Sequence, residues 1–158
     1  MNELNQVEEK IEIEARYIKP IRYAFKQYTT RMSEGREFDG EKLVVMIQKE
    51  FDFSKEEARS VIEYAESRYE PTLALRKQQL EETNLAIEEI TKVIDTLEEE
   101  RKENVETIAK TNDRKVIKRQ RSLKKQMYKD RIKLDELKKV QKDLEEQIET
   151  KNLKIEMY

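Results

Sequence analysis

Apolar residues recur along most of this chain at spacings of three, four and seven. From residue 2 to about 33 the stripe is Leu4, Val7, Ile11, Ile18, Ile21, Phe25, Tyr28 and Met32. That spacing predicts one face of an amphipathic helix. Pro20 predicts either a kink or the first turn of a second helix. Residues 33–40, SEGREFDG, read as a loop from their Gly and Asp content. A short helix over 41–51 carries Leu43, Val44, Met46, Ile47 and Phe51. Ser54 and Glu57 then form an S-x-x-E capping box, flanked by Phe53 and Ala58 as a hydrophobic staple. A helix starting near Lys55 is expected to bury Val61, Ile62 and Ala65, with Pro71 bending it or restarting it near Thr72.

From residue 72 onward there is neither Gly nor Pro, and the apolar period becomes seven. Leu73, Leu80, Ile87 and Ile94 form one track, with Ile90 and Leu97 between them. A second set has Val116, Leu123, Leu137 and Leu144 on one track and Met127, Leu134, Ile148 and Ile155 on the other. These are coiled-coil repeats. The first track, continued by sevens from Ile108, reaches Lys115 and not Val116. The phase break falls beside the weak helix formers Thr111, Asn112 and Asp113 and predicts a turn near 111–115, the alternative being one unbroken helix through 111. Folding back there sets Ile108 against Val116, Leu97 against Met127, Ile90 against Leu134 and Leu80 against Leu144. It also sets Asn104 against Gln120 and Thr83 against Gln141. Arms of about 40 residues reach roughly 60 Å at the helical rise.

Composition narrows the class. The 158 residues include 43% charged and 36% hydrophobic residues, with only 2 Gly and 2 Pro. Strand-rich folds need more turn formers than that. The expected fold is all-α. A small helical domain over 1–69 (an αα-hairpin plus an N-terminal helix) precedes a long antiparallel coiled-coil hairpin over 70–158. No apolar run approaches the roughly 20 residues of a membrane span. The polar, acidic start is unlike a secretory signal. Together these predict a cytoplasmic location and no membrane partner.

Charge changes the picture again. The net charge of −2 hides an uneven layout. Residues 114–133 hold ten Lys or Arg and one Asp, whereas 91–110 hold six acids and four bases. Arg114, Lys115, Lys118, Arg119, Arg121, Lys124 and Lys125 are therefore candidates to contact an acidic protein face or nucleic-acid phosphate. The competing reading is that these charges solvate helix faces and orient the hairpin, or pair one molecule's basic tip with another's acidic base. A secondary basic-aromatic patch, Arg16, Lys19, Tyr23 and Lys26, lies opposite an apolar face of Tyr17, Ile21, Ala24, Phe25 and Tyr28.

Helices 41–51 and 55–69 have helix-turn-helix spacing. Glu56, Glu57 and Glu63 on the second oppose phosphate, so a plain αα-hairpin is the better reading. The chain has no His and no Cys, which removes thiol or imidazole nucleophile systems and zinc clusters. No Gly-rich phosphate loop is present. E-x-x-E pairs such as Glu100 with Glu103 and Glu103 with Glu106 are expected by chance among 35 acidic residues. The expectation is a non-catalytic interaction or assembly module of adaptor, scaffolding or inhibitor type. It needs no cofactor and no small-molecule substrate. Its partner is a protein, including a second copy, because Leu85, Ala86, Val93, Ile132 and Val140 lie outside the seam of a lone hairpin. The alternatives are nucleic-acid binding through 114–133 and steric inhibition of a nucleic-acid enzyme.

Overall fold

The computed structural model describes residues 15–37 and 39–155. Among them are five helices: α1 (Ala15–Glu34), α2 (Gly40–Phe51), α3 (Lys55–Ser67), α4 (Tyr69–Thr111) and α5 (Arg114–Thr150). No described residue lies in a strand, and the class is all-α. Leu4, Val7 and Ile11 of the first stripe lie outside the described residues. The chain divides into two compact units. One comprises 1–77 together with 146–158, and the other is 78–145.

In the first unit, α1 runs through Pro20, which is itself buried. Gly35 ends α1 with a φ of 68°, a conformation that costs glycine nothing. There the Arg36 N–H donates to the Arg31 carbonyl at 3.1 Å and the Gly35 N–H to Met32 at 3.3 Å, the Schellman pattern. Asp39 caps α2, its carboxylate accepting from the Lys42 N–H at 3.2 Å. Ser54 caps α3, its Oγ accepting from the Glu57 N–H at 3.1 Å, as the capping-box spacing predicts. Helices α1 and α2 both pack on α3. Ile21, Ala24 and Phe25 meet Leu43, Val44 and Ile47 and the α3 row Ala58, Val61, Ile62 and Ala65. A new helix starts at Tyr69, which places Pro71 in its first turn, where a missing N–H costs least.

The first unit is completed from the far end of the chain. Helix α5 stops at Thr150, and Lys151 takes a left-handed φ of 60°. Leu153 is buried in the helical core, and Ile155 packs against it. The heptad track that reads on to Ile155 thus ends earlier than the spacing implies. The reason is a set of side chains that hold the backbone of 151–154 in a non-helical path. The Thr29 hydroxyl donates to the Lys151 carbonyl at 2.9 Å and accepts from the Leu153 N–H at 2.6 Å. Tyr69 also donates to the Lys151 carbonyl, Arg76 donates to the Lys154 carbonyl, and the Gln147 side-chain Oε1 accepts from the Lys154 N–H.

The second unit comprises most of α4 and α5. The break between these helices falls at Asn112 and Asp113, inside the predicted 111–115. Asn112 has a φ of 51°, tolerable for Asn, and the Asp113 carboxylate accepts from the Lys115 N–H at 2.9 Å. Bonds from α5 to α4 include Gln141 to Asn84 at 2.8 Å and Gln120 to the Arg101 carbonyl at 3.3 Å. The polar partners sit one to three residues from those expected, Asn84 in place of Thr83 and Arg101 in place of Asn104. Apolar burial is sparse. Leu123, Met127 and Leu144 are buried, while Leu80, Ile87, Ile90, Ile94, Leu97, Leu134 and Leu137 are only half-buried.

Candidate functional site

The seven basic residues singled out near the start of α5 do not behave alike. Arg119 is tied to Glu100 of α4 by two contacts of 2.8 and 3.2 Å. That hydrogen bond lowers the Glu100 pKa against a smaller opposing desolvation, and it raises that of Arg119. Arg114, Lys115, Lys118, Arg121, Lys124 and Lys125 are exposed and make no ion pair among the described residues. Arg114, Lys118, Arg121 and Lys125 follow at steps of four, three and four, which sets them along one helix face.

A second face of α5 carries Lys124, Tyr128 and Arg131, which line a shallow depression with Arg101 and Met127. Tyr128 is 69% exposed, the largest exposure of any large apolar or aromatic side chain in the described residues. The spacing of Tyr128 and Arg131 from Lys124 was a legible signal that charge counting passes over. Arg131 reaches Glu98 at 3.6 Å, and Arg101 reaches the same carboxylate at 2.6 Å. The Arg101 hydrogen bond is the main reason that the Glu98 pKa is lowered.

The patch Arg16, Lys19, Tyr23 and Lys26 is divided in the same way. Arg16 lies over the Tyr17 ring, 4.6 Å from its centroid, and pairs with Glu57 at 3.3 Å. Glu57 also accepts from the Tyr17 hydroxyl at 3.2 Å. Desolvation pushes the Glu57 pKa up, but hydrogen bonds from Ser54 and Tyr17 and the Arg16 charge outweigh it, and the net shift is downward. Tyr23 is half-buried, with its ring edge-on to Phe51 at 5.9 Å, so it is no free stacking platform. Lys19 and Lys26 remain exposed.

The second unit carries a groove of about 590 Å³ along one flank of the α4–α5 seam. Its apolar lining is Ala86, Ile90, Val93, Leu137 and Val140. Val93 and Val140 are each 48% exposed, and Leu85 and Ile132 are also exposed. Asp130 lines the same groove and is only 6% exposed. It occupies the seam position one heptad past Leu123, the slot left empty in the track Val116, Leu123, Leu137, Leu144. Gln126 donates to one of its carboxylate oxygens at 3.0 Å, while the other is buried with no hydrogen-bond partner.

No cluster of acidic side chains that could hold a metal ion occurs among the described residues. None of the described helices is long and apolar enough to cross a membrane. Compared with protein-family models, curated proteins and solved structures, the chain matches none.

Proposed function

We propose that this protein is a non-catalytic interaction and assembly module that self-associates through residues 78–145. In this reading α4 and α5 form an antiparallel coiled-coil hairpin, and two hairpins pack into a four-helix bundle. The observation that carries it is the half-buried seam beside an open apolar groove. Two helices alone leave Ile90 and Leu137 half-buried and Val93 and Val140 exposed. Burying such a row against a second pair of helices is worth roughly 25 cal/mol per Å² of apolar surface removed from water. Adaptor, scaffolding and inhibitor roles all use such a module, and the apolar groove speaks only for the association itself.

A second reading is supported by the six exposed, unpaired cations and by Tyr128 between Lys124 and Arg131. Those two faces of α5 suit a polyanion, with the phosphate charge held by the Lys and Arg side chains and the ring available for stacking.

One experiment addresses both. Light scattering after size exclusion, at tens of micromolar protein, is expected to give twice the chain mass of 19.1 kDa. A monomer across that range ends the self-association reading. Repeating the run with a short DNA duplex at low salt tests the second, which requires co-elution that is lost on changing Arg121 and Lys125 to Glu.

A further inference from the structure

We infer that Asp130 and Lys133 form a reciprocal pair of salt bridges between two copies of this chain, and so fix how the copies dock. The inference rests on the self-association reading above and adds the residues that set its geometry. The starting point is an energetic anomaly. Asp130 stands at a seam position where every other member of its track from Val116 to Leu144 is apolar. One carboxylate oxygen is bonded to Gln126 and the other is sealed from water without a donor. Leaving a buried charged acceptor unsatisfied is costly, and a cation entering the groove that Asp130 lines, with a side-chain shift that uncovers this oxygen, supplies the missing donor.

The groove says what that donor is. Its lining joins apolar side chains to three acids, Glu89, Asp130 and Glu136, and one base, Lys133, so an incoming surface must bring apolar side chains together with cations. Lys133 lines the same groove, is exposed, and makes no ion pair among the described residues. Three residues along the same helix, it offers the complement to Asp130. A two-fold interface places residue i on residue j and j on i. A second copy crossing antiparallel over this groove then sets each Lys133 on the other's Asp130 and satisfies both ends at once.

Two further observations select a second copy, antiparallel, over another partner. Asp130 and Lys133 lie near the middle of the 114–145 stretch of α5, where an antiparallel pairing brings like position to like position. The charge layout favours the same orientation. Counted over both helices, residues 91–133 hold fourteen bases and eight acids, whereas 78–90 and 134–145 together hold eight acids and three bases. Antiparallel pairing lays the basic end of each copy on the acidic end of the other. A buried polar contact at one seam position is a known device for fixing register and partner, at some expense in stability.

The test uses the full chain and two charge-reversed variants, Asp130→Lys and Lys133→Asp, each checked for helical content by circular dichroism. In the first, position 130 and Lys133 are both cationic; in the second, Asp130 and position 133 are both acidic. Each variant alone is expected to be monomeric where the wild type is dimeric, because both reciprocal contacts become repulsive. Mixed one to one, they are expected to form a heterodimer, because both contacts become attractive again. If Asp130→Lys does not fold, Asp130→Asn and Lys133→Met replace it. Each is expected to weaken the wild-type dimer about tenfold, and the double variant no more than either alone. A folded mixture that stays monomeric, a dimer indifferent to these changes, or effects that simply add overturns the inference. A monomeric wild type ends the self-association reading and this one together, whereas a dimeric wild type with indifferent variants ends this one only.

Discussion

Thr29 shows how much one small side chain can carry. Its hydroxyl both donates and accepts, and it is the acceptor for the Leu153 N–H at the point where the chain's last described segment enters the core. Valine has nearly the same shape and neither capability. In Thr29→Val the Lys151 carbonyl keeps its bond from Tyr69, but the Leu153 N–H is left buried and unpaired. The expected loss is about 2 kcal/mol, read as a lower urea midpoint at constant slope. Thr29→Ser, which keeps the hydroxyl, is expected to recover most of it. Asp130 is the opposite case, a polar group whose second oxygen stays unpaired within one chain. Its slot is visible in the heptad spacing, yet a count of apolar matches skips it because the occupant is acidic.

At the scale of elements, helix ends were the most legible part of the sequence. The Ser54 cap, the break before Arg114 and the buried α3 row follow from local chemistry, namely a capping box, weak helix formers and an i, i+3, i+4 stripe. The docking of 151–155 was not legible. It depends on Thr29, Tyr69 and Arg76, up to 124 residues away, and a seven-residue period continues through Ile155 regardless. The basic patches were legible as charge but not as surfaces, because ion pairs with Glu100 and Glu57 form only once helices pack. Those pairs have a pH signature. The pKa values of Glu57, Glu98 and Glu100 are lowered in the folded chain. A lowered pKa means that the unfolded state binds protons first, so the contribution is full above the ordinary carboxylate value. It is lost as pH falls through the folded value. Thermal melts are therefore expected to drop steadily below about pH 4.5, with Glu57→Gln flattening part of that slope. Glu66, whose pKa burial and Glu63 push up, works in the opposite sense and limits the drop.

For the whole molecule the net charge of −2 says little and the layout of charge says much. If copies associate basic end to acidic end, salt screens an attraction, and the dimer is expected to weaken several-fold between roughly 50 and 500 mM NaCl. A parallel arrangement puts like charge on like, so salt would strengthen it. Sedimentation equilibrium at the two salt concentrations separates these signs. An apolar contribution independent of salt is expected to remain at the higher concentration, because the groove walls carry no charge at Ala86, Val93 or Val140.

The return of residues 146–155 to the first unit also orders events in time. Thr29 and Leu153 are bonded across 124 residues of chain, so the helical core is not complete until the whole intervening stretch has been made and brought round. Bringing two points together through a long flexible loop is entropically slow, and α4 with α5 shortens that loop if they fold first. The unit that begins first along the chain is therefore the one completed last. Until then it stands open, with the places of Leu153 and Ile155 in its core unfilled.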